Sequence, residues 1–228
     1  KKIMKVILRN ITPNAEINIV EIARVSSSRE NKSEEPKKLI KYLLDNKHFS
    51  PFQHSYLTFE IETSKAIAIQ LLRHLSFTFQ EFSQRYAEVN KLENIEFRLQ
   101  ATKNRQSSTD IIGSIIQNKD QFHIYLPEEN TTEDIYSWLD KVSDYLKTGL
   151  SLYKEGIQLG IAKECTRMIL PMTSSTTIFM TGSVRSWIHF LAIRDEEHAQ
   201  KEIQLISKEI KKIFKKELPI ISNVLDYE

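Results

Sequence analysis

The chain has 228 residues, 40% of them apolar and 27% charged, with a net charge of +2. That balance excludes a disordered chain, and it excludes a broad phosphate-tracking surface, which needs a clustered excess of Lys and Arg. A single cysteine excludes an internal disulfide and a multi-cysteine zinc site.

The length suits one large domain over 1–228 with a buried core. Gly and Pro are scarce, at 5 and 6, so long helices with short connections are expected. No apolar run approaches bilayer length, and the opening KKIMKVILRN lacks a signal-peptide core. A reducing cytoplasm is the expected setting, with no membrane and no nucleic acid as partner.

Lys5 to Ile11 reads as a first strand. Ile17 to Val25 reads as a helix that meets Ser26-Ser27-Ser28 as a stop. Ser33, followed by Glu34, Glu35 and Pro36, predicts a helix start, and the helix runs through Leu39, Leu43 and Leu44 to about Asn46. His48-Phe49-Ser50-Pro51-Phe52 predicts a turn, because a residue before proline avoids helical backbone angles. Tyr56 to Glu62 alternates as a strand, and Ser64 begins a helix to about Leu75. Ser76 to Tyr86 reads as irregular or extended.

Residues 90–132 are polar and read as a long, variable surface excursion with a short helix near Ile111 to Ile116. Asp134 to Tyr153 predicts a strong helix, and Gly156 to Leu170 another, stopped by Pro171. Thr176 to Met180 is β-branched and reads as a strand. Val184 to Phe214 reads as helical, broken or unbroken, with Ala199, Ile203, Ile206, Ile210 and Ile213 on one face. Few strands separated by helices give an α+β class around a central, mostly antiparallel sheet with long helices.

The stretch Gln70 to Tyr86 carries the densest chemistry. On a helix, Gln70, Arg73 and His74 share one face, while Ala68, Leu71, Leu72 and Leu75 pack on the other. Arg73 is a permanently charged planar donor suited to phosphate, and His74 donates to phosphate or to a polar ring edge. If extended, Glu81, Ser83 and Arg85 point the same way and converge on a small volume. Such a set suits an anionic nucleotide with a polar base, and it equally suits a solvated polar loop.

Arg73-His74-Leu75, followed by Ser83 and Arg85, resembles the signature of the flavin-dependent thymidylate synthases. That signature begins Arg-His-Arg, so Leu75 is a departure at its third position. Further ordered matches are Ala23-Arg24-Val25-Ser26, His48-Phe49-Ser50-Pro51-Phe52-Gln53-His54, and Arg167-Met168-Ile169-Leu170-Pro171. A last group runs from Ser183 to Arg194 and resumes at His198-Ala199-Gln200. Together they cover most of the chain outside 90–132.

The resemblance implies a thymidylate-synthase-like fold over the whole chain and a reaction from dUMP to dTMP. It implies FAD as cofactor, methylenetetrahydrofolate as one-carbon donor and NADPH as reductant. It also implies a homotetramer with active sites shared between subunits. For dUMP the matched positions are Gln70, Glu81, Ser83, Arg85, Arg167 and Arg194. Arg85 and the backbone near Ser83 suit the 5′-phosphate, and Arg194 suits the uracil edge. For FAD they are Ser26, Ser50, Arg73, His74, Glu81, Arg185, His189 and His198. Catalytic roles fall to Ser83, Arg194 and His48, with His48 near the flavin and folate and no metal involved.

Several competing readings frame these expectations. Cys165, on an apolar helix face with Ile161, Ala162, Met168 and Ile169, reads as a buried, inert thiol. His54 reads as a packed strand histidine. Arg185 and Arg194 could instead be surface ion-pair partners of Asp195 and Glu196. A metal hydrolase built on His74, His189, His198 and Glu81 lacks the tight His spacing that zinc favours. A binding protein that has lost turnover gains weight from Leu75. The basic Lys211-Lys212 and Lys215-Lys216 stretch is either a nucleic-acid contact or a solvated helix face.

At about 100° per residue, Arg185 and His189 lie on one side of a continuous helix and Arg194 and His198 on the other. Either the helix breaks or its two faces serve two sites. The second option agrees with sites shared between subunits.

Overall fold

The structure is a computed structural model that describes residues 4–26 and 35–227, with Ser26 described by its backbone alone. Two compact units emerge from it. One contains the described residues of 4–61, 72–80 and 178–227, and the other contains residues 62–71 and 81–177.

In the first unit, β1 (Lys5–Ile11) leads to α1 (Ala15–Ala23) and then to a 3-10 turn, Arg24–Ser26. The stop at Ser27 and Ser28 and the predicted cap residue Ser33 lie outside the described residues, and the N-cap position falls instead on Glu35, which makes no side-chain capping bond. α2 (Pro36–Asp45) begins with Pro at its first position and buries Ile40, Leu43 and Leu44. A 3-10 turn, Pro51–Gln53, leads into β2 (Tyr56–Ser64), whose pattern alternates between buried and half-buried.

The helix expected from Ser64 to Leu75 is shorter: α3 (Lys65–Leu71) stops before Arg73. The chain turns at His74, whose carbonyl accepts from the Phe77 amide at 3.2 Å, and enters β3 (Phe77–Glu81). Aromatic burial outweighs the forgone helical turn here. The Phe77 ring lies 4.6 Å from Trp187 and 6.1 Å from Phe190, and Phe59 lies 4.8 Å from Trp187. Leu75 therefore does not pack. It sits on the turn, 95% exposed.

In the second unit, residues 90–132 contain an ordered sheet. β4 (Ile95–Gln100), β5 (Ser108–Asn118) and β6 (Gln121–Tyr125) pair antiparallel in that order. The short helix expected near Ile111 is strand, because its β-branched residues pair across the sheet: Ile115 faces Ile95 on one side and Ile124 on the other. Asn118 pairs with Gln121, leaving a two-residue turn with Lys119 at φ 55°. The sheet packs under α4 (Glu133–Gln158), burying Ile115 with Leu139, Leu146, Leu150 and Tyr153. The Thr132 hydroxyl caps that helix by accepting from the Ile135 amide at 3.3 Å.

The second predicted helix of this region, Gly156 to Leu170, does not form. Gly160, at φ +79°, ends α4: its amide reaches the Ile157 carbonyl and the Ile161 amide the Gly156 carbonyl, both at 2.9 Å. Only a four-residue turn of helix follows, α5 (Lys163–Thr166), and then a 3-10 turn, Arg167–Ile169. Cys165 is exposed rather than buried, since the face on which it was placed does not exist.

β7 (Ser175–Ser183) completes a four-stranded sheet of order β1-β2-β7-β3. The long C-terminal helix is broken. α6 (Val184–Arg194) and α7 (Lys201–Glu217) are separated by 195–200, and a further short helix, α8 (Pro219–Val224), follows. Ala199 lies ahead of α7, while Ile203, Ile206 and Ile210 bury as expected together with Phe214. Two sheets interleaved with helices bear out the α+β class.

Gly182 on β7 is set by close approach: a Cβ there would meet the Phe77 ring at 2.4 Å. Gly182→Ala is expected to cost about 1–3 kcal/mol through overpacking. The check is a lower denaturant midpoint at unchanged slope.

Candidate active site

The Ser183 side chain caps α6, accepting from the Ser186 amide at 3.2 Å. The Ser186 hydroxyl donates to the Ser76 carbonyl at 3.2 Å, which ties the turn carrying Arg73 and His74 to the start of α6. Trp187 donates its indole N–H to the Leu57 carbonyl at 3.2 Å. With Val184, Trp187, Ile188 and Leu191 buried, the open face of α6 carries Arg185 and His189.

Two cavities flank that face. One, of about 650 Å³, is lined by Phe49, Gln53, Tyr56, Ser76, Arg185 and His189 among others. The other, of about 630 Å³, is lined by Lys47, His48, Phe49, Ser50, His54 and Arg185 among others. Arg185 and Phe49 line both, and the guanidinium carbon stands 6.0 Å from the Phe49 ring centroid. The end of α2 delivers His48. Lys47 takes φ 58°, its amide reaches the Leu44 carbonyl at 3.1 Å, and the His48 amide reaches Leu43 at 2.8 Å. The His48 ring then rests edge-on against Tyr42, centroids 5.8 Å apart.

Arg194 closes α6 and donates Nε–H to Nε2 of His74 at 2.9 Å. The His74 ring packs edge-on to Phe190 at 5.0 Å and to Phe77 at 6.2 Å. Burial, then the charges of Arg194 and His189, hold the His74 pKa down to about 4, so the ring is neutral near pH 7. Burial and the like charge of Arg73 also lower the Arg194 pKa. Asp195 does not serve Arg194 as an ion-pair partner; its carboxylate is held by Lys211 at 2.8 Å.

In the second unit, Glu81 accepts from Lys65 at 2.7 and 2.8 Å and from the Thr176 hydroxyl at 3.0 Å. The expected alternation of Glu81, Ser83 and Arg85 fails. β3 ends at Glu81, and the Ser83 carbonyl starts a turn by accepting from Tyr86 at 3.1 Å and Ala87 at 3.0 Å. Arg85 pairs with Glu164 of α5 at 3.1 Å, both side chains exposed. Arg167 opens the 3-10 turn directly after α5, and Gln70 sits near the end of α3.

The family described as thymidylate synthase complementing protein, Thy1, matches residues 7–220. This chain belongs to that family. A probable flavin-dependent thymidylate synthase of Paramecium bursaria Chlorella virus 1 is 39% identical over 190 residues, 83% of this chain and 80% of that protein. The flavin-dependent thymidylate synthase of a Synechocystis strain is 38% identical over 208 residues, 90% of this chain and 86% of that protein. A crystal structure of a UMP/dUMP methylase, PolB, from Streptomyces cacaoi bound with 5-Br UMP aligns at TM-score 0.75 and 21% identity, covering 98% of this chain and 93% of that one. At that identity it attests the shared fold.

For a Thy1 chain the residues singled out from sequence fall into clear groups. His48, Ser50 and Arg185 line one cavity, and Arg185 with His189 the other. His74 and Arg194 form a direct pair. Gln70, Glu81, Ser83, Arg85 and Arg167 all belong to the second unit. Arg73 and His74 lie beyond α3, so the helical face assigned to them with Gln70 is absent. His198 is exposed in the break after α6, so the helix geometry that opposed it to Arg185 does not apply. The Ser26 side chain lies outside the described residues.

His54 is no strand residue. It is exposed at the end of the Pro51–Gln53 turn and lines a cavity. Phe49, Gln53, Tyr56 and Lys65 escaped the sequence reading. Phe49 had a signal, an aromatic in the turn before Ser-Pro. Lys65 had none, because its partner Glu81 lies 16 positions away. Among the described residues no group of three His, Cys, Asp or Glu could hold a metal. Lys211, Lys212 and Lys216 each hold an acid, as a solvated helix face does.

Proposed function

We propose that this chain is a flavin-dependent thymidylate synthase that methylates dUMP to dTMP, holding FAD and using methylenetetrahydrofolate as one-carbon donor and NADPH as reductant. The observation that carries this reading is the pair of cavities meeting at Arg185 and Phe49, in a chain of the Thy1 family. An elongated, anionic, aromatic cofactor suits two adjoining hollows with a guanidinium and a phenyl ring at their junction. The residues fit FAD: Ser50, His48 and Arg185 offer a hydroxyl, an imidazole and a cation on one side, and His189 a donor on the other. Ser26, Arg73, His74, Glu81 and His198 complete the proposed cofactor set.

A bound flavin supplies the redox and one-carbon relay chemistry, while the protein binds, orients and stabilises charge. Arg194 presents its guanidinium to the uracil edge, where negative charge grows as the ring carbon becomes nucleophilic. Arg85 takes the 5′-phosphate by exchanging Glu164 for it. An exposed ion pair is worth only about 0–1 kcal/mol, and charge-assisted bonds to phosphate are stronger. Gln70, Glu81, Ser83 and Arg167 complete the proposed dUMP set, and His48 stands near flavin and folate.

A homotetramer with shared sites belongs to the same proposal. Leu159, Ile161, Met168, Ile169 and Met172 are all exposed over a short stretch, an apolar surface that other subunits would cover. A cytoplasmic setting suits the lone exposed thiol of Cys165. Among the described residues no helix is long and apolar enough to cross a membrane.

The test is conversion of dUMP to dTMP with methylenetetrahydrofolate and NADPH, with and without added FAD. FAD-dependent dTMP is expected. Binding of dUMP with neither dTMP formation nor NADPH oxidation would instead establish a binder without turnover, the reading that exposed Leu75 favours. Cys165→Ser should keep activity within about twofold, as a surface exchange does. Its inactivation would instead give the Cys165 thiol a part in the reaction.

A further inference from the structure

Resting on the synthase reading above, we infer that His74 is a positioning residue: its Nε2 accepts the Arg194 Nε–H and so aims that guanidinium at the base. The bond is 2.9 Å long and joins residues 120 positions apart. A guanidinium is planar, so fixing Nε and its plane sets the direction of the Nη1 and Nη2 edge. An aim of this kind needs an anchor that does not itself rotate. Phe77 and Phe190 hold the imidazole edge-on at 6.2 and 5.0 Å, and the turn bearing it is tied to α6 through Ser76 and Ser186 at 3.2 Å. Both ends of the link therefore hang from one helix, Arg194 by its own backbone and His74 through the Ser186 hydroxyl.

The arrangement also limits what His74 offers a cofactor. A neutral imidazole has one donor and one acceptor nitrogen. With Nε2 accepting, the proton resides on Nδ1, which is the only N–H left to meet a flavin. Protonation would place a second N–H against the Arg194 N–H and remove the bond. The lowered pKa of the ring is consistent with that incompatibility. A carboxylate in the same place would neutralise Arg194, whereas a neutral imidazole leaves the full positive charge for a ligand.

The test compares His74→Gln, which keeps an acceptor near the Nε2 position, with His74→Phe, which keeps the ring and loses the acceptor. Imidazole nitrogen NMR of the unliganded protein should show His74 as the Nδ1–H tautomer, with Nε2 unprotonated. In dUMP titrations, His74→Phe should weaken binding about 10- to 100-fold, the scale of one lost hydrogen bond to a charged group. His74→Gln, which restores an acceptor for the Arg194 Nε–H, should recover most of that loss. Two results would overturn the inference: a proton on Nε2 in the wild-type protein, or wild-type dUMP affinity in His74→Phe. If wild-type protein takes up no dUMP while His74 keeps its tautomer, the synthase reading falls and the His74–Arg194 pair stands.

Discussion

Arg194→Gln is expected to lower kcat/KM for dUMP about 100- to 1000-fold, the scale seen when a preorganised charge-stabilising donor is lost. Gln retains length and polarity but cannot follow growing negative charge with a full positive one. Two features of the structure make the residue costly to replace. Arg194 is partly buried beside the like charge of Arg73, so its charge is held in place against a cost that an anionic ligand relieves. Its orientation is set by His74 rather than by a carboxylate that would cancel it. The loss should fall mainly on kcat if the charge acts on the transition state, and on KM if it serves ground-state binding. Removing the Arg194 charge should also raise the His74 pKa, visible by NMR without any substrate. A loss under tenfold would take Arg194 away from the base.

Leu75→Arg is expected to tighten FAD binding about 10- to 100-fold, the value of one charge-assisted hydrogen bond to a phosphate. The family signature has Arg at this position, and here the leucine side chain is 95% exposed on the turn after Arg73 and His74. Nothing has to be repacked to admit the longer side chain. Without cofactor the added cation stands two positions along the chain from Arg73 and should slightly lower the melting temperature. With FAD the sign should reverse, because a tighter ligand stabilises the folded state in proportion to the logarithm of its affinity gain. Titration of the apoprotein by flavin fluorescence checks the first effect and melting curves the second. Unchanged FAD affinity would place the turn away from the cofactor.

The strands and helices most legible in the sequence were those whose own residues settle their period. β1 matched to the residue, and α2 was legible too, although it starts at Pro36, two positions later than a Ser33 cap predicts, since a proline preset for the first helical turn needs no distant partner. The buried face of α7 was readable from Ile203, Ile206 and Ile210. The misread elements were settled by partners far along the chain. Ile111 to Ile116 carries no period that separates strand from helix, and its pairing with β4 and β6 decided it. The helix expected through Leu75 stopped at Leu71 as Phe77 packed against Trp187, 110 positions away in the chain.

The site divides in the same way. Motif residues at fixed spacing, Arg73 with His74 and Arg185 with His189, together with Arg194, marked the family from the sequence by itself, because residue type and local order are enough for a family signature. Which atom faces which was decided only by the tertiary structure: His74 toward Arg194, Lys65 toward Glu81, Phe49 beneath Arg185, Leu75 toward water. The physical reason is range. Backbone period and capping act over a few residues, whereas hydrogen bonds and ring contacts form between groups that only the folded chain brings within a few ångströms.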